Sequence, residues 1–83
     1  MTKEEVTTKV VDILSDIINY ESFDIHLIDR LIYDLGLDSL DVVEFIMKLE
    51  TEFLISIPDS DFDEIKDITV EQIIDSIYNK LNK

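Results

Sequence analysis

The 83-residue chain contains no cysteine, no tryptophan, one glycine and one proline. Without cysteine, it has neither disulfides nor thiolate metal ligands to hold its fold. A single glycine excludes the glycine-rich loops that bind phosphate groups. No apolar run approaches the roughly 20 residues of a membrane span, and no basic segment with a cleavage site precedes one. We therefore expect a cytoplasmic protein without a membrane span.

Basic residues are also scarce, because 7 lysines and arginines stand against 20 aspartates and glutamates, for a formal net charge of −13. Nucleic-acid binding depends on basic side chains that neutralise phosphates, so this composition argues against a nucleic-acid partner. The acids concentrate between residues 31 and 65, which contain ten of them and one base, Lys48. Such a surface is either merely solvated or attracts partners with basic patches, and composition leaves both open.

Apolar side chains are abundant, at 46% of the residues, which is enough for one small domain over residues 1–83. Their helical spacing predicts an all-α bundle of three main helices and one short helix. Thr2 and Glu5 have the spacing of a capping box, and the helix that they begin extends over residues 3–18. Thr69 and Gln72 have the same spacing at the start of the last helix.

The middle helix is predicted from Ser39 to Phe53, with Asp38 as its N-cap. A long connection over residues 19–37 precedes it, and we expect a short helical turn inside that connection. After the only proline, the segment "DSDFDEI" at residues 59–65 is the candidate for the short helix. The strand-like "FLISIP" has no second strand to pair with, so it is interpreted as the end of a helix followed by a loop.

The middle helix carries two apolar stripes when its residues are placed at 100° steps. The first is an ordinary core stripe, formed by Val42, Phe45, Ile46, Leu49 and Phe53. The second lies on another side of the helix and is formed by Leu40, Val43, Met47 and Leu54. Either the long connection folds over the second stripe, or the stripe stays exposed with acids around it. An exposed apolar centre with a charged rim is typical of a transient protein-binding surface.

Catalytic and metal chemistry find little support in the sequence. Residues 59–70 begin like a calcium-binding loop, but Glu64 stands where that loop needs glycine and Val70 where it needs a bidentate glutamate. A serine hydrolase would have to use His26, the only histidine, and Ser39 does not lie in a G-x-S-x-G elbow. We therefore predict no catalytic residue and no metal site. A purely adaptor role for the acidic helices stays open.

Ser39 stands at the predicted start of the middle helix, where free N–H groups and partial positive charge would tolerate a phosphate. The surrounding "DLGLDSLDVVEFIMKLETEF" resembles the acyl carrier proteins of fatty-acid and polyketide synthesis. Further similarity at residues 57–59 and 68–77 extends it over almost the whole chain. The elements that carry the resemblance are Leu35, Gly36, Asp38, Ser39, Leu40, Asp41, Val43, Glu44 and Met47.

The resemblance implies that Ser39 is esterified by 4′-phosphopantetheine, which a phosphopantetheinyl transferase takes from coenzyme A. The arm's thiol then carries acyl groups as thioesters to acyltransferases, ketosynthases and similar enzymes with basic docking patches, and we expect a monomer. The docking surface that it implies consists of Asp38, Leu40, Asp41, Val43, Glu44 and Met47. The acyl chain would be sheltered by Phe45, Ile46, Ile65, Ile73 and Ile77. Because Lys48 and Tyr33 depart from the family's pattern, the pathway stays open.

Overall fold

The computed structural model describes residues 1–19, 24–57 and 68–82. These residues form three α-helices, α1 (Lys3–Ile18), α2 (Ser39–Phe53) and α3 (Val70–Leu81). The described part contains no strand, only one isolated antiparallel bridge between Arg30 and Thr69. The prediction of an all-helical fold with three main helices is confirmed. The short helix predicted at residues 59–65 lies outside the described residues.

Capping boxes begin α1 and α3 as the sequence predicted. At α1, the backbone N–H of Glu5 donates to the Thr2 hydroxyl at 3.1 Å, and the Glu5 carboxylate accepts from the backbone N–H of Thr2 at 3.1 Å. Thr69 and Gln72 make the same exchange at α3, at 3.2 and 2.9 Å. Each box satisfies two N–H groups that have no partner inside a helix, and a good N-cap contributes about 1 kcal/mol.

One hydrophobic core joins all three helices. α1 contributes a stripe of buried side chains four residues apart, and α2 contributes the core stripe that the sequence predicted. The segment between α1 and α2 also buries side chains in this core, which explains why it is so apolar for a loop. The buried side chains are Val6, Val10, Leu14, Ile25, Leu31, Leu35, Leu37, Val42, Phe45, Ile46, Leu49, Phe53, Val70, Ile73, Ile74 and Ile77.

The connection before α2 is tied to the beginning of α3 by backbone hydrogen bonds. The N–H of Leu31 donates to the carbonyl of Ile68 at 3.0 Å, and the N–H of Val70 donates to the carbonyl of Asp29 at 3.0 Å. A hydrogen-bonded turn follows over residues 31–35, inside the connection for which the sequence predicted a short helical turn without locating it. The chain therefore reaches α2 from a segment that is held across the bundle.

Two ion pairs join α1 to the other helices at the surface. Lys3 Nζ lies 2.6 Å from Asp75 of α3, and Lys9 Nζ lies 2.6 Å from Glu52 of α2. The hydrogen bond to Glu52 raises the pKa of Lys9, and the one to Asp75 raises the pKa of Lys3. Solvent-exposed pairs of this kind add little to stability, so the buried core, and not these contacts, holds the helices together.

Candidate functional site

Ser39 is the first residue of α2 and is exposed to solvent. No hydrogen bond joins its hydroxyl to another residue within 1–19, 24–57 or 68–82. The preceding residue, Asp38, is the N-cap and has an extended backbone, with φ −95° and ψ −178°. The structure therefore places Ser39 where the sequence predicted it, with an unengaged oxygen at the surface.

Gly36 makes the turn that leads to this serine. Its φ is +76°, in the left-handed region that residues with a side chain rarely adopt. A methyl group there would meet no atom within 4 Å, so glycine is needed for the backbone conformation and not for space. Leu35 and Leu37 on either side are both buried, so the turn fits between two anchored side chains. The chain is consequently fixed two residues before Ser39.

Asp38 and Asp41 form a reciprocal cap around the start of α2. Oδ1 of Asp38 accepts from the N–H of Asp41 at 2.8 Å, and Oδ2 of Asp41 accepts from the N–H of Asp38 at 3.2 Å. The sequence predicted Asp38 as the N-cap but not the return bond, since the expected partner at the third helical position is glutamate or glutamine. Both carboxylates are thus held in place on either side of Ser39 in the sequence.

The residues at this helix end fit a phosphodiester on the serine oxygen. The N–H groups of Ser39 and Leu40 have no acceptor in the described part of the chain, so the positive end of α2 is open beside the hydroxyl. The carboxylates of Asp38 and Asp41 oppose that positive charge, so electrostatics alone would hold a free phosphate poorly. A covalent ester needs no such attraction, and an exposed hydroxyl without a competing hydrogen bond is what it requires.

The second apolar stripe of α2 is exposed in the structure. Leu40 is 78%, Val43 56%, Met47 61% and Leu54 90% accessible to solvent. The described part of the connection lies elsewhere, with four of its apolar side chains buried in the core and its backbone hydrogen-bonded to the start of α3. The arrangement therefore favours the alternative in which this stripe remains available to a partner.

An open groove of about 620 Å³ runs between this stripe and α1. Two α1 residues line it that the sequence did not single out, Ile13 and Asp16. In the sequence, these two residues only lie beside the core stripe of α1. They line a groove because α2 packs beside α1. The complete lining is Ile13, Asp16, Leu40, Val43, Glu44, Met47, Lys48, Thr51 and Glu52.

The remaining predicted docking acid, Glu44, is exposed on α2 next to Val43. Lys48 lies one turn further along, with Nζ 3.8 Å from Glu44 Oε1. This is the upper end of the range for an ion pair and leaves both side chains about half exposed. The departure from the family's pattern at Lys48 thus lies on the helix that carries the predicted docking surface, near one of its acids.

Four of the five residues predicted to shelter an acyl chain lie in the core. Phe45 and Ile46 come from α2, and Ile73 and Ile77 come from α3, each with at most 7% of its surface exposed. The fifth, Ile65, lies outside the described residues. Their burial is required by the fold whether or not they contact an acyl chain, so that role stays a prediction.

The alternative chemistries gain no support from the structure. His26 is exposed, and its hydrogen bonds within the described residues are made by its backbone alone: its N–H donates to the Asp29 carboxylate at 2.9 Å, and its carbonyl accepts from the Asp29 N–H at 3.0 Å. The calcium-loop segment at residues 59–70 falls mostly outside the described residues. Within the described ranges, no group of three or more histidine, aspartate or glutamate side chains is placed to hold a metal ion. None of the described helices is long and apolar enough to cross a membrane.

Comparison with known proteins identifies the family. The model of the phosphopantetheine attachment site matches residues 8–77. An acyl carrier protein of Cyanidium caldarium is 42% identical over 84 aligned positions, covering 99% of this chain and 98% of that protein. Acyl carrier proteins of Chlorobium phaeovibrioides and Porphyromonas gingivalis are both 44% identical, over 96% and 93% of this chain and 100% and 96% of their own lengths. The chain therefore belongs to the acyl carrier protein family, whose shared feature is a phosphopantetheine attachment site.

Proposed function

We propose that this acyl carrier protein bears its 4′-phosphopantetheine on Ser39 and presents acyl intermediates to enzymes of fatty-acid, polyketide or related lipid synthesis. The observation that carries the assignment of Ser39 is its exposed, unbonded hydroxyl at the start of α2, inside the matched residues 8–77. The protein is a carrier and not a catalyst, so its residues hold and display the group while partner enzymes perform the chemistry.

The residues around Ser39 present the attachment point to a transferase. Gly36 makes the turn between the buried Leu35 and Leu37, and the Asp38 cap fixes the first turn of α2. In the transfer, the serine oxygen loses its proton and forms an ester bond to the phosphorus of phosphopantetheine, while the phosphoanhydride bond of coenzyme A breaks and its adenine nucleotide leaves. Bound phosphopantetheine supplies the thiol that forms acyl thioesters, and a chain without cysteine has no second thiol to compete for the acyl group.

The exposed stripe and the neighbouring acids are proposed as the docking surface for these enzymes. Apolar contacts would come from the three stripe residues nearest the serine, and partner lysines and arginines would be attracted by the acids. The proposed docking residues are Asp38, Leu40, Asp41, Val43, Glu44 and Met47. A net charge of −13 favours basic partners at long range, which raises the rate of encounter at low ionic strength.

The acyl chain is proposed to be sheltered between α2 and α3. Phe45, Ile46, Ile73 and Ile77 place apolar side chains from both helices in one core, and Ile65 is retained in the proposal from the sequence. Burying an acyl chain gains roughly 0.8 kcal/mol for each methylene. Burial of several methylenes would therefore offset the free-energy cost of moving these side chains slightly apart. A single carrier domain in monomeric form is sufficient for this role.

Intact-mass measurement tests the attachment site. We expect incubation with coenzyme A and a broad-specificity phosphopantetheinyl transferase to add one phosphopantetheinyl unit to the wild-type protein. Ser39→Ala should take up none, whereas Ser76→Ala, which removes another exposed serine on a helix, should be modified like the wild type. Addition to Ser39→Ala at the wild-type rate would refute the assignment. No addition to the wild type would refute the carrier function itself.

A further inference from the structure

The groove beside the exposed stripe has two walls, and only one of them belongs to α2. Its apolar floor combines Leu40, Val43 and Met47 of α2 with Ile13 of α1, which is itself only partly covered by the core. A partner segment that covers the stripe and fills this groove would therefore touch α1 as well. The docking surface assigned above is confined to α2 and omits that second wall.

The charges in the groove point to the same wall. Of its three acids, Glu52 is bound by Lys9 at 2.6 Å, and Glu44 lies 3.8 Å from Lys48. Asp16 of α1 has no cationic partner in the part of the chain that the structure describes, and it is exposed. The carboxylate with the least compensated charge in the groove is consequently on α1. A basic side chain entering the groove would be attracted most strongly there.

We propose that α1 takes part in partner recognition, with a basic, amphipathic segment of the partner enzyme lying in the α1–α2 groove. Its apolar side chains cover Ile13 together with the α2 stripe, and a lysine or arginine pairs with Asp16. This inference rests on the proposed carrier function, because it concerns the partners of that function. A second copy of this chain is a poor occupant, since two molecules that each carry −13 repel one another.

The transferase that modifies Ser39 provides the probe, and Asp12 provides a matched control. Asp12 is an exposed aspartate one turn from Asp16 on α1, and it does not line the groove. We expect Asp16→Asn to raise the KM of the transferase for the carrier roughly two- to fivefold, as for loss of one exposed ion pair, with kcat unchanged. Asp12→Asn should leave both constants at their wild-type values.

Salt provides a readout that a change in folding would not reproduce. The KM ratio between Asp16→Asn and the wild type should approach one as the salt concentration rises to about 1 M, where the screening length is about 3 Å. Ile13→Ala should also raise KM, but its effect should persist in salt because the contact is apolar. Thermal unfolding of each variant, followed by circular dichroism, separates loss of contact from loss of fold.

The outcomes distinguish this inference from the function on which it rests. If the wild type is modified but Asp16→Asn has the same KM as Asp12→Asn, and Ile13→Ala has the same KM as the wild type, α1 does not contact the partner and only this inference fails. If the wild type is not modified at all, the carrier function fails first. A dimer that is seen in sedimentation equilibrium and is dissociated by Ile13→Ala would also overturn the proposal, because a second copy would then fill the groove.

Discussion

Replacing Gly36 by alanine should lower the free energy of unfolding by about 1 kcal/mol. The φ of +76° puts this residue in the left-handed region, where a β-carbon costs roughly 1–2 kcal/mol. No atom lies within 4 Å of the added carbon, so no clash adds to that cost. Alanine also lowers the conformational entropy of the unfolded chain, which stabilises the folded state by about 0.4–1 kcal/mol. The net loss in the free energy of unfolding is therefore about 1 kcal/mol.

Urea denaturation followed by circular dichroism measures this loss directly. With a slope of about 1 kcal/mol per molar urea for a small domain, the midpoint for Gly36→Ala should fall by roughly 1 M while the slope stays unchanged. Gly36→Asn is the matched control, since asparagine tolerates the left-handed region better than other residues with a β-carbon. We expect its midpoint to lie between those of the wild type and the alanine variant.

Two results would refute this reasoning about Gly36. If Gly36→Ala is as stable as the wild type, the turn does not require a positive φ. If Gly36→Asn loses as much as Gly36→Ala, the loss comes from added bulk and not from backbone conformation. In either case the φ of Gly36 would not be what directs the chain toward Ser39, and the burial of Leu35 and Leu37 alone would be sufficient.

Three other predictions concern the packing of the core, the dependence of stability on pH, and its dependence on ionic strength. Leu49→Ala, at a fully buried position, should cost about 2–5 kcal/mol in urea denaturation, whereas Leu54→Ala, 90% exposed, should cost under about 0.5 kcal/mol. The backbone N–H of Arg30, 2.7 Å from Asp34, lowers the pKa of that carboxyl. The free energy of unfolding of the wild type should therefore exceed that of Asp34→Asn by its full amount above pH ~4, and the difference should shrink as the pH falls through the lowered pKa. Because the net charge is −13, the melting temperature should rise from low to moderate ionic strength, and an unchanged value would contradict this.

The helix boundaries were predictable because their signals are local. Thr2 with Glu5 and Thr69 with Gln72 lie three residues apart in the sequence, and the bonds between them require only one helical turn. The return bond from Asp41 was missed because aspartate is not the usual residue at that capping position. The preference for aspartate at the N-cap thus located the start of α2 at Asp38, but it did not predict the second hydrogen bond of the cap.

The exposure of the second stripe was not predictable in the same way. Residues 40–54 show an apolar stripe on α2, but whether a connection covers it depends on where that connection goes. Its described part goes to α3, through the bond from Leu31 to Ile68, and four of its apolar side chains are buried in the core. Likewise, Asp16 becomes a groove residue only through the packing of α1 beside α2. Contacts between distant segments decide both features, and no short pattern in the sequence encodes them.

The hydrogen bonds between the connection and the start of α3 have a consequence for how the molecule opens. The bonds from Leu31 to Ile68 and from Val70 to Asp29 cross between segments about 40 residues apart, so neither segment can detach while the other stays paired. Local unfolding of the first turn of α3 would therefore free the segment that leads to Ser39 at the same time. We therefore expect the segment that leads to Ser39 and the N-terminus of α3 to open as one cooperative unit, in which the amides of Leu31 and Val70 exchange with solvent together.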